Sequence, residues 1–277
     1  MARPSSTATA SPRPRRRAAR EVPAPIGLAA LAGLAFFLLP LAGLLARAPW
    51  GTALREAATP EALDALRLSL FCSACSTAIA ILLGVPLAWV QARLVFPGQN
   101  LVRAATTLPM VLPPVVGGVA LLLAFGRHGL VGGYLFDVAG VRLAFTTAGV
   151  VLAETFVSMP FLVIAVEAGF RSVDRRLEEA ARTLGARPMT VFRRVTLPLA
   201  LPSVFAGAVL CWSRALGEFG ATITFAGNFP GHTQTAPLAI YLLLESRPEA
   251  AVVLSLCLVA TSLAVLVLLR DRYLRLS

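Results

Sequence analysis

No lysine occurs in this chain: all 25 of its basic residues are arginine, set against only 14 acidic residues in 277. The uniform choice of arginine reads as a GC-rich coding bias and carries no function. Two histidines and four cysteines complete the short supply of reactive side chains. No His/Cys/Asp constellation and no pair of carboxylates can be assembled from them, which excludes a metal or nucleophilic enzyme. No G-x-x-x-x-G-K-[ST] is present, so the chain does not hold ATP through a P-loop of its own. Cys72 and Cys75 form a C-x-x-C inside an apolar run, with no histidine or second pair nearby, and read as buried small side chains. His128 and His232 lack partner spacing and read as solvated. Glu154 is a lone carboxylate in an apolar segment, and one carboxylate does not make a site. Neither a metal nor a cofactor is expected.

What the chain does have is apolar length. Hydrophobic residues make up 57% of it and the mean hydropathy is +0.77, well beyond a soluble domain. A formal charge of +11, taken alone, points to nucleic acid. The arginines, however, sit at the ends of apolar runs, which is how membrane topology is encoded. Lipid, not nucleic acid, is the expected surrounding.

Residues 1–22 are Pro, Ser, Ala and Arg without hydrophobic period and read as a disordered, Arg-rich cytoplasmic tail. Residues 23–277 read as one all-α transmembrane domain of six helices. The first run, Ile26 to Leu45, is followed by Ala46-Arg47-Ala48, which looks like a signal-peptide cleavage site. Its length of ~20 residues suffices to span, so a retained first helix is the preferred reading. Five further spans are expected at about Leu66–Val90, Ala104–Phe125, Phe145–Phe170, Leu199–Gly217 and Ala250–Leu269. The third carries Pro109, Pro113, Pro114, Gly117 and Gly118 and is expected to be irregular at its start. That makes it either a pore-lining element or a merely kinked structural helix.

With the N-terminus inside, eighteen arginines fall in cytoplasmic segments and six in outer loops, with Arg214 inside the fifth span. Both termini are therefore expected in the cytoplasm. So is the charged stretch Arg175 to Pro198, RRLEEAARTLGARPMTVFRRVTLP. Asp174 can cap a short helix there and Gly185 can end it. Leu177, Ala180, Ala181 and Leu184 fall at i, i+3, i+4 and i+7, a narrow apolar stripe between charged flanks.

The spacing within this stretch is more specific than its composition. Glu179-Ala180-Ala181, three residues, Gly185, nine residues, Val195, one residue and Leu197-Pro198 resembles the E-A-A-x3-G-x9-I-x-L-P signature of ABC importer permeases. Val195 in place of Ile is the one departure. The resemblance runs from about Leu66 to Leu269 and implies a permease fold of the methionine-importer type. It also implies that residues of about 175–185 form the coupling helix, which docks on a separate ATP-hydrolysing subunit through Glu179, Ala180, Ala181, Leu184 and Gly185. The chain itself would then be a non-catalytic subunit.

A second stretch, Arg214 to Tyr241, RALGEFGATITFAGNFPGHTQTAPLAIY, resembles molybdate permeases. Sulfate permeases share the R-A-x-G-E-F/Y-G part but are less similar over Asn228–Gly231 and Thr233–Tyr241. The resemblance implies import of molybdate across a bacterial inner membrane, with sulfate/thiosulfate or tungstate as the alternative cargo. It further implies a molybdate-binding protein outside the membrane and a second copy of this chain as homodimer partner. Within the stretch Arg214 and Glu218 stand at i and i+4 and can neutralise one another. They serve either gate packing or, through Arg214, anion steering. Thr222, Thr224 and Asn228 supply neutral donors for a pathway, or belong to an ordinary extracytoplasmic loop. A stand-alone secondary transporter would call for internal repeats and midplane charges. The chain shows no repeat, and its spans are nearly free of acid.

Overall fold

The computed structural model describes residues 23–274, with side chains as far as Val267. The tail expected over residues 1–22 and the closing arginine, Arg275, lie outside the described residues. The chain divides into two compact units, Met1–Ala46 and Arg47–Ser277. The first contains α1 (Ala24–Ala46), a helix of 23 residues that is apolar on every side and long enough to span.

In the second unit a short helix α2 (Ala53–Ala57) precedes α3 (Pro60–Arg93), which starts on a Thr59 cap that accepts the Ala62 N–H. Pro60 at its first position needs no N–H partner. The helix runs 34 residues, well past the expected Leu66–Val90, and so carries polar Gln91 and Arg93 on its last turn. Then come α4 (Gln99–Val111), α5 (Pro114–Phe125) and, after a loop, α6 (Gly132–Ala139). A Thr146 cap opens the 26-residue α7 (Thr147–Ser172). The charged stretch forms α8 (Arg175–Thr183). A continuous 29-residue helix follows, made of α9 (Pro188–Val191), a π-helical turn at Phe192–Thr196 and α10 (Leu197–Leu216). Pro198 has no N–H to donate, so the helical ladder slips by one residue just ahead of it. The chain ends in α11 (Gly220–Phe225), α12 (Ala236–Ser246) and α13 (Pro248–Leu274).

Among the described residues five helices are long and apolar enough to cross a membrane, and the sixth span is a broken one. Helices α4 and α5 meet at 119°. The expected irregularity is therefore real, but it lies at Leu112–Pro113, in the middle of the run and not at its start. Pro113 forces Leu112 into extended backbone (ψ 135°), and Pro113 with Pro114 removes two successive N–H donors. Pro109, one turn earlier, is absorbed within α4.

Helices α3, α7 and α10 form the centre, with Ala80, Ala88, Leu162, Val163, Val166, Phe170, Ala200 and Cys211 buried between them. Small residues permit the close approach. A methyl on Gly169 would collide with the Ser203 side chain, and one on Gly207 would stand 3.1 Å from the Leu162 carbonyl. Association of apolar helices in lipid depends on such packing, because lipid tails compete equally for apolar side chains. All four cysteines are free, with Cys72 and Cys211 fully buried in this bundle. Glu154 of α7 is 1% exposed, and its Oε2 has no hydrogen-bond partner among the described residues.

Candidate functional site

Two places carry the polar chemistry, and α8 is the first. Asp174 stands at its N-cap and accepts the Arg176 N–H at 3.0 Å. At its other end Gly185 takes φ +83°, with Ala186 N–H donating to the Ala181 carbonyl and Gly185 N–H to the Arg182 carbonyl. This pair of bonds closes the helix in a Schellman turn, which is why a glycine stands there. Both ends of the helix are thus set by residues within the stretch.

Its faces are unequal. Glu179, Ala180 and Gly185 are exposed, Ala181 is half-buried, and Leu177 and Leu184 are 49% and 88% exposed. Two large apolar side chains are thus held open on a short charged helix. Beside them Met189, Thr190, Arg193 and Arg194 line a basic cleft of about 500 Å³. The opposite face buries one residue, Glu178, which sequence reasoning passed over in favour of Glu179. Glu178 Oε1 pairs with Arg93 Nη2 at 2.8 Å and accepts the Thr196 hydroxyl at 2.8 Å. Helical phase does not reveal it: Glu178 stands about 110° and Glu179 about 150° from the centre of the Ala/Leu stripe, so the choice between them is made by Arg93, brought in from α3.

The second place is built from α5, α11 and the loop leading to α12. Glu218 is 1% exposed; its Oε2 lies 2.6 Å from Arg214 Nη1 and its Oε1 accepts the Ala221 N–H at 2.8 Å. The carboxylate is thereby neutralised by one helix and caps the next. Helix α11 then lies against α5 with hardly a side chain between them. A methyl on Gly118 would stand 2.6 Å from Thr224 Cβ and 2.9 Å from the Ala221 carbonyl, and one on Gly220 would stand 2.7 Å from Pro114 Cβ. The sequence shows the broken span and the Arg214–Tyr241 stretch as separate features. The fold makes them one packed unit.

The sequence-chosen donors are divided by this packing. The Thr224 hydroxyl donates to the Gly220 carbonyl, and the buried Thr233 hydroxyl accepts the Phe229 N–H within its own turn. The Thr222 hydroxyl and the Asn228 Oδ1 are buried with no hydrogen-bond partner among the described residues. The Asn228–Thr235 loop is a folded turn, not a slack one. Three successive N–H groups, from His232 to Gln234, point at the Phe229 carbonyl, and Gly227 and Gly231 take positive φ. The Ala236 N–H donates to Ser69 of α3 at 2.7 Å, which anchors α12. His232 and His128 are exposed, as solvated residues should be.

The model of the family described as "binding-protein-dependent transport system inner membrane component" matches residues 80–275. The chain is 51% identical over 242 residues to the molybdenum transport system permease protein ModB of Mycobacterium tuberculosis, covering 87% of this chain and 91% of that one. It is 43% identical over 211 residues to the ModB protein of Escherichia coli, with 76% and 92% covered. A probable sulfate transport system permease, cysT of Chlorokybus atmophyticus, is 37% identical over 215 residues, with 75% and 73% covered. Among solved structures, a bacterial ABC transporter that imports the acidic polysaccharide alginate superposes with a TM-score of 0.74 at 18% identity, covering 91% of this chain and 94% of that one. At that identity the last similarity speaks to fold alone.

Proposed function

The chain belongs to the family of binding-protein-dependent transport system inner membrane components, and on that premise we propose that it is the permease subunit of an ABC importer carrying molybdate. It is a multi-pass, non-catalytic membrane subunit. The observation that carries the cargo is the 51% identity with a molybdenum permease over nearly the whole chain, against 37% for a sulfate permease.

The partners follow from the same reading. A separate ATPase subunit receives α8, whose exposed Glu179, Ala180, Leu184 and Gly185 and half-buried Ala181 form the docking face. The small residues let two backbones approach closely, and Leu184 offers an apolar anchor. A molybdate-binding protein delivers the anion from outside, and two copies of this chain enclose the path. The arginine bias supports a cytoplasmic α8 with both termini on that side of a bacterial inner membrane. Residues 23–277 then form the permease domain.

The outer gate is the α5–α11 unit. Molybdate is a tetrahedral dianion, so the carboxylate of Glu218 is no ligand for it. Glu218 with Arg214 holds the gate's shape, while Thr222 and Asn228 retain unused hydrogen-bonding capacity beside it. Neutral groups suit a path that must release what it holds.

The test is ATP hydrolysis by the complex reconstituted in proteoliposomes with its own binding protein. Molybdate is expected to stimulate hydrolysis and sulfate to leave it at the basal rate. Stimulation by sulfate and not by molybdate would move the chain to the sulfate branch, and equal response to tungstate would widen the cargo to both tetrahedral metallates.

A further inference from the structure

Helix α8 is tied to the spans through a buried charge. Its one buried side chain is Glu178, and the ion pair that buries it leaves Arg93 and Glu178 only 6% and 8% exposed. The same Arg93 Nη2 donates to the Val173 carbonyl at 3.1 Å, at the entrance to α8, while Thr196 brings the π-helical turn onto the same carboxylate oxygen. Phe192 of that turn stands edge-on to Trp89 of α3 at 5.7 Å. Arg93 is the last residue of α3, and the turn that carries it is polar in a second direction.

Two residues earlier, Gln91 is 2% exposed and donates its side-chain amide to the Thr106 hydroxyl of α4 at 2.9 Å. Its backbone carbonyl accepts Arg103 Nη2 at 2.7 Å and Gln99 Nε2 at 2.9 Å, both also from α4. Arg103 in turn pairs with Glu167 of α7 at 3.1 Å. Helix α4 is the first half of the broken span, and its second half, α5, carries the gate helix α11. A polar route, buried at α8 and half-buried at α4, thus leads from α8 through one turn of α3 to the element that ends at the gate.

Resting on the reading of α8 as the docking helix, we propose that the last turn of α3 is the transmission node of the importer, with Glu178, Arg93 and Gln91 as its positioning residues. Apolar contacts are non-directional. Buried hydrogen bonds and ion pairs are directional, and an unmade one is costly, so the groups they join move together. A shift of α8 imposed by the ATPase subunit therefore drags the end of α3, and α4 follows through Gln91. All three side chains are buried, away from the exposed docking surface.

The experiment uses the full complex in proteoliposomes with the binding protein loaded with molybdate. Glu178→Gln keeps an acceptor for Thr196 but removes the charge; Gln91→Leu keeps the size and removes the bond to Thr106. In both, the ATPase subunit is expected to co-purify at the wild-type ratio. In Gln91→Leu the basal hydrolysis is expected within twofold of wild type. In both, stimulation by loaded binding protein and molybdate uptake are expected to fall at least tenfold. Glu178→Asp, which keeps the charge, should recover part of the stimulation, which a purely structural role would not require. Gly185→Leu separates the two claims. If it still binds the ATPase subunit normally, the docking reading fails; if it releases that subunit while Glu178→Gln and Gln91→Leu remain fully stimulated, only the node is overturned. Should Glu178→Gln fail to fold, Gln91→Leu decides the matter alone, since it touches neither α8 nor its ion pair.

Discussion

The α8 segment and the α5–α11 unit are opposite solutions to placing short helices at the ends of long spans. Helix α8 leaves Leu184 88% exposed and is held by one buried ion pair. Helix α11 is six residues long, yet Ala221, Thr222 and Phe225 are completely buried, and glycines on either side of the α5 contact admit no methyl group. The first leaves its apolar side chains open, whereas the second is closed within this chain apart from the Thr222 hydroxyl and the Asn228 Oδ1. Under the proposed function this difference is what a coupled machine needs: a free surface where force enters, and a gate that yields only when its neighbours move.

The contrast breaks most severely at Gly185. Among the described residues, chain neighbours aside, no atom lies within 4 Å of a Cβ placed there, which leaves room for a side chain. Under the proposed docking of α8, what a larger residue would meet is the ATPase subunit. Gly185→Leu strains the positive-φ turn by ~1–2 kcal/mol and obstructs docking. A loss of ~3 kcal/mol in docking weakens assembly by about a hundredfold. Co-purification of the ATPase subunit should fail and uptake with it, while membrane insertion is unchanged. Wild-type assembly and transport in this variant would remove α8 from the coupling role.

At the gate the expected outcome is reversed. Gly118→Val places atoms where Thr224 and the Ala221 backbone already stand, and overpacking of this kind costs ~1–3 kcal/mol. Uptake should fall about tenfold with the ATPase subunit still bound. Loss of the subunit instead would show that the two regions are not separable in this way.

Glu218 sharpens the gate side further. Glu218→Gln removes the charge facing Arg214 but keeps an acceptor for the Ala221 N–H, and about 2 kcal/mol of stability should go. Glu218→Ala loses the cap as well, a further ~1 kcal/mol. Thermal unfolding of the purified complex in detergent reads both, and equal midpoints for the two variants would show that the cap contributes nothing. The smallest effect is expected at Arg247, whose pair with Glu61 is more than half exposed on both sides. Arg247→Ala should change stability by no more than ~0.5 kcal/mol, within the scatter of the same measurement.

What the sequence determined by itself is whatever depends on near neighbours. Asp174 and Gly185 bound α8 through bonds that reach two to five residues along the chain, so the cap and the terminal turn were legible from residue type and spacing. Long apolar runs announced the spans for the same reason, since hydropathy is summed along one helix. Pro113 and Pro114 signalled a defect, but the 119° turn at that point follows from how α5 packs on α11, which no local pattern encodes. The Arg93–Glu178 pair and the contact of Gly118 with Ala221 join residues far apart in the chain. Their partners are selected by how α3, α7 and α10 assemble. A charge or a glycine in the sequence states that something must approach it, and only the tertiary structure decides what.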